Sequence, residues 1–138
     1  MGRIFRHPAF WAVAFLAWFG WLWWLSSAPR EFPEALRFTD SDKLIHFGFY
    51  FGGSGLLSAA LYLLPRRGPV RWSRQILLTT VLMALVGASD EFHQSFVPYR
   101  SGNDPFDLTA DVLGSLAGAL VFWRLRGVLG VPATVVSI

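Results

Sequence analysis

The stretch PAFWAVAFLAWFGWLWWLS, residues 8–26, carries no charged side chain and consists almost entirely of apolar and aromatic residues. At a rise of about 1.5 Å per residue, a helix of this length spans a hydrocarbon core about 30 Å thick. Trp21, Trp23 and Trp24 lie near its end, where indole rings favour the membrane interface. A cleaved signal peptide is the alternative, but such apolar regions are shorter and less rich in tryptophan. The stretch therefore predicts a transmembrane helix.

The composition of the whole chain supports the same class of protein. Of 138 residues, 54% are hydrophobic and only 15% are charged, whereas soluble domains carry about 25% charged residues. This length fits a single domain, residues 1–138. The absence of cysteine excludes disulfides, thiolate metal ligands and cysteine nucleophiles. The low charged fraction predicts an integral membrane protein, and we expect no nucleic-acid partner.

Three further apolar segments follow, at about residues 44–64, 75–96 and 107–124. The third segment reaches the length of a membrane helix only if it continues through the polar sequence DEFHQSF, residues 90–96. No alternation of period two indicates the strands of a β-barrel. The sequence therefore predicts an all-α integral membrane bundle of four helices.

The basic residues predict how these helices are oriented. Arginines precede helix 1, fill the short loop between helices 2 and 3, and follow helix 4, so they share one side of the membrane. By the positive-inside rule this side is cytoplasmic. We therefore expect a multi-pass protein of the inner (plasma) membrane with both termini in the cytoplasm. The arginines are Arg3, Arg6, Arg66, Arg67, Arg71, Arg74, Arg124 and Arg126.

Three of the four helices carry polar residues at the opposite, outer end. An ionised side chain in hydrocarbon costs about 2.5 to 3.5 kcal/mol on insertion scales, so such groups are expected to face the bundle interior and to pair. We therefore expect one polar pocket open to the outer leaflet. Its candidates are Asp42, Lys43, His46 and Tyr50 on helix 2, Asp90, Glu91, His93 and Gln94 on helix 3, Arg100 in the following connection, and Asp107 and Asp111 on helix 4.

Part of this pattern also has ordinary structural explanations. Asp42 and Asp107 are equally compatible with N-caps of helices 2 and 4, and His46 with a simple interhelix hydrogen bond. Asp111 is harder to explain in this way, because it lies a full turn inside helix 4. Closely spaced glycines indicate tight helix packing. They are Gly114 and Gly118 on helix 4 and Gly52, Gly53 and Gly55 on helix 2.

Three stretches carry a resemblance to a known family. DKLIHFGFYFGG, DEFHQSFVPYRSG and DLTADVLGSLAG, which begin at Asp42, Asp90 and Asp107, resemble in order and spacing the signature stretches of the VanZ-like family of small membrane proteins. The resemblance covers about residues 42–118. Two positions depart from the family pattern: Tyr99 stands where glycine is expected, and Asp111 where many relatives have asparagine. The second departure adds a carboxylate and favours cation binding.

The resemblance implies a role at the bacterial cell envelope, because the family takes its name from a protein that lowers susceptibility to the antibiotic teicoplanin. Membrane lipids, a lipid-linked cell-wall precursor or a lipoglycopeptide are the partners that this role implies. The resemblance supplies no reaction, so two classes of function stay open.

The first class is a binding protein. Its ligand would be a lipid, a precursor or a drug, and the residues expected to contact it are Asp42, Lys43, Tyr50, Gln94, Arg100 and Asp107. A transporter is a weaker alternative, because four helices would have to form a homo-oligomer to line a path.

The second class is a membrane-embedded hydrolase or transferase acting on a lipid-linked or phosphorylated envelope substrate. His46 or Glu91 would be its general base, while Asp90 and Asp111 would position a water or a divalent cation. Arg100 would hold a phosphate oxygen, and Gln94 would orient the substrate. No ligand-spacing motif identifies a metal. Ser54, Ser58 and Ser89 have no evident triad around them.

Overall fold

The computed structural model describes residues 2–28, 41–65, 68–100 and 102–129. These residues form four long helices, and none of them forms a strand. The helices are α1 (Pro8–Ser26), α2 (Ser41–Leu63), α3 (Trp72–Gln94) and α4 (Pro105–Leu125), with short 3-10 helices at Arg3–Arg6 and Arg126–Leu129. All four are long and apolar enough to cross a membrane. The predicted all-α, multi-pass membrane bundle is therefore confirmed.

The helix bounds agree with the sequence to within about three residues. α1 has the predicted bounds, whereas α2 and α3 begin three residues earlier than expected, at Ser41 and Trp72. The prediction that the third span continues into the polar sequence is correct as far as Gln94, where α3 ends. Arg66 and Arg67 lie outside the described residues. The orientation relative to the cytoplasm stays a prediction of the positive-inside rule.

α2 and α4 run in parallel and pack most closely, through glycines of α4. A Cβ atom added at Gly114 would collide with the backbone oxygen of Phe47, and one added at Gly118 with that of Phe51. The predicted packing role of these two glycines is therefore confirmed. This close approach brings the beginnings of both helices, with their polar side chains, to the same end of the bundle.

α1 runs antiparallel to α2 and packs against it through Trp18. The indole Nε1 of Trp18 donates to the backbone oxygen of Phe49 over 3.1 Å. Added Cβ atoms at Gly52 and Gly53 would lie 2.9 and 3.1 Å from the Trp18 ring, so these glycines make room for it. A Cβ at Gly55 would meet nothing within 4 Å. The packing role predicted for Gly55 is wrong, because this position lies about 200° around the helix from Gly53.

Polar side chains also connect the middle of α2 to α3 and α4. Ser54 Oγ donates to the backbone oxygen of Ser115 over 2.6 Å, and Ser58 Oγ donates to Thr79 Oγ1 over 3.1 Å. Gln75 Nε2 donates to the backbone oxygen of Ser58 over 3.1 Å. We call these five residues the middle layer. Since lipid provides little driving force for helix association, such hydrogen bonds and close packing hold a membrane bundle together.

Candidate functional site

The beginning of α2, the end of α3 and the beginning of α4 meet at one end of the bundle, because α3 runs antiparallel to the other two. Ten of the eleven residues predicted to form the site lie together at this end, and we call these ten, all except His93, the motif-end cluster. Six are buried, three are partly buried, and Asp42 is exposed. The buried members are Tyr50, Asp90, Glu91, Gln94, Asp107 and Asp111, and the partly buried ones are Lys43, His46 and Arg100.

His46 on α2 is held by Asp111 on α4. The imidazole Nδ1 lies 2.9 Å from Asp111 Oδ1, and Asp111 is 0% exposed. Asp111 Oδ2 has no hydrogen-bond partner among the described residues. A Cβ at Gly87 would lie only 2.8 Å from this oxygen, so a glycine on α3 provides the space for the carboxylate. The sequence reasoning did not identify Gly87, which lies before the polar stretch of α3.

Asp107 lies between His46 and Lys43. Its Oδ2 is 4.0 Å from His46 Nε2, and its Oδ1 accepts a hydrogen bond from Lys43 Nζ over 3.3 Å. Lys43 also donates to Asp42 over 3.0 Å. The N-cap of α4 is Asp104, whose side chain accepts from the backbone nitrogen of Phe106. Asp107 is therefore not the cap, and its buried carboxylate belongs to the motif-end cluster.

A hydrogen-bonded chain connects Asp90, Gln94 and Arg100. Gln94 Nε2 donates to Asp90 Oδ2 over 2.8 Å. Arg100 donates from Nε and Nη2 to Gln94 Oε1, over 3.1 and 2.8 Å. Asp90 Oδ1 has no partner among the described residues. Arg100 thus folds back over the end of α3 and is held through an amide oxygen rather than a carboxylate.

The turn after α3 contains Tyr99, one of the two departures from the family pattern. Tyr99 has a φ of 64°, in the left-handed region that side chains other than glycine adopt uncommonly. A glycine at this position would be unstrained, which agrees with the expectation from the resemblance. The Tyr99 side chain is 97% exposed. It lies at the mouth of the cavity described below.

Glu91 is anchored by the backbone of the same connection. Its Oε2 accepts from the backbone nitrogen of Asp104 over 2.8 Å, while Oε1 is buried without a partner among the described residues. His93, by contrast, faces away from the cluster. Its ring stacks on Trp23 of α1 with centroids 4.0 Å apart, and its Nε2 lies 3.2 Å from Ser27 Oγ. His93 therefore connects α3 to α1 and takes no part in the cluster.

A cavity of about 330 Å³ opens beside the cluster. One wall is largely apolar and comes from α1 and α2, a contribution of α1 that the sequence reasoning missed because this helix carries no charged residue. The other wall is polar. The cavity is lined by Leu22, Leu25, Ser26, Asp42, Ile45, His46, Phe49, Tyr50, Asp90, Gln94, Tyr99, Arg100 and Asp107.

Two residues that line the cavity, Tyr50 and Asp90, each carry a buried polar atom that has no partner among the described residues. These atoms are the hydroxyl of Tyr50 and Oδ1 of Asp90. An unsatisfied buried polar group costs about 1 to 3 kcal/mol, so a bound group that pairs with these atoms gains affinity. The arrangement suits a ligand that has an apolar part and a polar head group with hydrogen-bond donors.

Comparison with known protein families identifies the family of this chain. A family model described as VanZ/LLP1 matches residues 7–126. Neither a curated protein nor a solved structure shows a significant match to the chain. The matched residues include α1 to α4 and the whole motif-end cluster. With most of its 138 residues matched, the chain belongs to the VanZ/LLP1 family.

Proposed function

We propose that this membrane protein binds an amphiphilic ligand of the bacterial cell envelope in the cavity beside the motif-end cluster. The ligand would be a lipid-linked cell-wall precursor or a teicoplanin-type lipoglycopeptide, bound from the outer leaflet of the inner membrane. The observation that carries the proposal is a cavity with an apolar wall whose lining residues Tyr50 and Asp90 each have a buried polar atom without a partner among the described residues.

The two walls of the cavity favour different parts of such a ligand. Leu22, Leu25 and Phe49 offer an apolar surface to an acyl or aromatic group. Asp90 Oδ1 accepts hydrogen bonds, and carboxylates are abundant at this end, so the head group should present hydroxyl or ammonium donors. Sugars and amino-containing peptides have these donors. Binding of this kind would change the cell's response to a glycopeptide without any chemical reaction.

Susceptibility of a bacterial host to teicoplanin tests the cellular side of this proposal. We expect the wild type to raise the inhibitory concentration and Arg100→Ala or His46→Ala to abolish the effect at equal membrane levels. His93→Ala is the matched control, since this histidine lies outside the cavity, and it should behave as the wild type. If Arg100→Ala at normal membrane levels raised the inhibitory concentration of teicoplanin as much as the wild type, the proposal would be contradicted.

Direct binding distinguishes the two sources of ligand. Purified full-length protein in lipid nanodiscs would be titrated separately with teicoplanin, with a lipid-linked precursor and with plain phospholipid, using tryptophan fluorescence as the readout. We expect saturable binding in one of the first two titrations and its loss in Arg100→Ala. Equal responses to all three, unaffected by the substitution, would mean that the cavity selects no envelope ligand.

A membrane-embedded enzyme is the second candidate function, and the pairing of His46 with Asp111 favours it. A carboxylate on Nδ1 orients an imidazole and leaves Nε2 for proton transfer, the arrangement of a general base. The substrate would be a lipid-linked or phosphorylated envelope compound, with Arg100 at the cavity available to a phosphate oxygen. Incubation with a radiolabelled polyprenyl-phosphate-linked substrate tests this function. We expect product formation that His46→Ala abolishes, and no product from the wild type would count against catalysis.

A further inference from the structure

We propose that His46, Glu91 and Asp107 bind one divalent transition-metal cation, with Asp111 orienting His46 as a positioning residue. This inference goes beyond the proposed ligand binding and does not depend on it, because the metal alone tests it. It differs from the expectation that Asp90 and Asp111 position a cation. Four observations carry it: the distances within the triad, the orientation of His46, the unpaired oxygen of Glu91 and the local excess of carboxylates.

The three side chains come from three different helices and converge on one point. Each offers one ligand atom, and these atoms all lie within 4.8 Å of one another. Ligands at the corners of a tetrahedron around Zn²⁺, with bonds of about 2.0 to 2.2 Å, lie about 3.3 to 3.6 Å apart. Side-chain movements of up to about 1 Å would therefore bring the triad to coordination distance.

His46 already has the orientation of a metal ligand. With Nδ1 donating its proton to Asp111 Oδ1 over 2.9 Å, the lone pair of Nε2 is left free and lies on the side of Asp107 Oδ2, 4.0 Å away. Metal-binding histidines typically donate their other ring N–H to a carboxylate or carbonyl, which fixes the tautomer and raises the basicity of the ligand. Asp111 would have this role here.

Glu91 supplies an independent indication of a missing partner. It is only 3% exposed, and its Oε1 has no hydrogen-bond partner among the described residues. The other oxygen, Oε2, is held by the backbone nitrogen of Asp104, so the carboxylate cannot freely turn toward water. A buried ionised oxygen without a partner is costly. A cation coordinated by Oε1 would remove this cost.

The charges of the cluster also favour a cation. Four carboxylates are at least nine-tenths buried, those of Asp90, Glu91, Asp107 and Asp111. Among the described residues, the ion pairs to them come from Lys43 and, when protonated, His46, while Arg100 donates to Gln94. Buried charges have to be paired or to coordinate metals. A divalent cation would compensate two of the remaining negative charges.

The donor set selects the kind of metal. Imidazole suits zinc and other transition metals, whereas magnesium and calcium prefer ligands made only of oxygen. Three protein ligands leave a further coordination position open. His46 and Asp107 line the cavity, so this position would face it and could take a water molecule or an oxygen of a bound ligand. The site thus resembles an open metal site rather than a closed structural one.

Titration of the purified full-length protein with Zn²⁺ tests the proposal. After chelator treatment, calorimetry should show one site per chain, and a large excess of Mg²⁺ should not displace the metal. Glu91→Gln and Asp107→Asn should weaken binding more than about 100-fold. Asp111→Asn should weaken it by about 10- to 100-fold, as is usual for a residue that orients a metal-binding histidine. His93→Ala should have no effect, because this histidine stacks on Trp23.

Thermal unfolding separates loss of the site from loss of the fold. All variants would be compared without metal first, and only those with wild-type helicity would be used. Zn²⁺ should raise the unfolding temperature of the wild type and of His93→Ala, since it binds the native state, and leave that of Glu91→Gln unchanged. The proposal would be overturned if the wild type showed no stoichiometric Zn²⁺ binding, or if Glu91→Gln and Asp107→Asn bound Zn²⁺ with wild-type affinity.

The test of the metal site can also succeed or fail independently of the test of the proposed amphiphilic ligand. Glu91 does not line the cavity, so Glu91→Gln removes a metal ligand without removing a cavity contact. A protein that binds Zn²⁺ but neither teicoplanin nor a lipid-linked precursor would support the metal site and contradict the proposed ligand. A protein that binds the amphiphile but no Zn²⁺ would overturn the metal site alone.

Discussion

The middle layer and the motif-end cluster are both polar regions inside an apolar bundle, but they satisfy their hydrogen bonds differently. In the middle layer, no side chain has a buried polar atom without a partner. At the motif end, by contrast, four buried polar atoms have no partner among the described residues. They are Tyr50 OH, Asp90 Oδ1, Glu91 Oε1 and Asp111 Oδ2.

This difference distinguishes polar groups that hold helices together from groups that we propose contact a ligand. A paired polar group in a membrane bundle specifies how helices pack, whereas an unpaired one lowers stability. Proteins retain such strain where function requires it. The motif-end cluster therefore has the properties of a binding site, and the middle layer those of a structural network. Three substitutions test this distinction, in order of their effect on the free energy of unfolding.

The largest effect is expected at Gly114, because the close contact of α4 with α2 supports both the motif-end cluster and the middle layer. In Gly114→Ala the new methyl group would collide with the backbone oxygen of Phe47 and push α4 away from α2. We expect the free energy of unfolding in detergent to fall by about 2 kcal/mol, with loss of ligand binding. Gly55→Ala is the matched control. Its methyl group meets nothing within 4 Å, so stability should stay the same or rise by up to about 1 kcal/mol. Equal behaviour of the two variants would refute the close α2–α4 contact.

A smaller effect is expected in the middle layer. Ser58→Ala removes the hydroxyl that donates to Thr79, and an interhelix hydrogen bond in a membrane protein contributes about 0.6 kcal/mol on average. Unfolding in detergent should reveal a loss of that size, while teicoplanin or precursor binding and Zn²⁺ binding keep wild-type affinity. A binding defect larger than the stability defect would show that the two regions are not functionally distinct.

The smallest effect on stability is expected at the motif end. Tyr50→Phe removes a hydroxyl that has no partner among the described residues, so the free energy of unfolding should be unchanged or slightly higher. Ligand affinity should fall about fivefold, since one hydrogen bond contributes about 1 kcal/mol. Parallel unfolding and binding measurements would check both expectations. A clear loss of stability without loss of affinity would assign the Tyr50 hydroxyl to the structural network instead.

Patterns within a single helix predicted much of this molecule. The uncharged run of residues 8–26 predicted the bounds of α1, and the polar residues from Asp42 to Tyr50 predicted the polar end of helix 2. Consecutive membrane helices alternate in direction, so the beginnings of helices 2 and 4 and the end of helix 3 lie on the same side. The convergence of their three polar patches was therefore also predicted. These predictions need only the periodicity of one helix and the thickness of a bilayer.

Contacts between helices were predicted less well, because they depend on how each helix is rotated. α1 is apolar all round, so nothing in its sequence distinguishes the face that lines the cavity from the face toward lipid. His93 was placed beside the cluster from its position on α3, yet its ring stacks on Trp23. The partner of His46 also required coordinates, since spacing within α2 does not show which acidic residue of another helix its ring faces.

The central claim is that the unpaired polar atoms of the motif end belong to a ligand site. An experimental map of the protein purified with its native lipids tests this most directly. The account predicts density inside the cavity, within hydrogen-bonding distance of the Tyr50 hydroxyl and Asp90 Oδ1. A cavity that is closed and dry, with these two groups paired to other protein side chains, would contradict it.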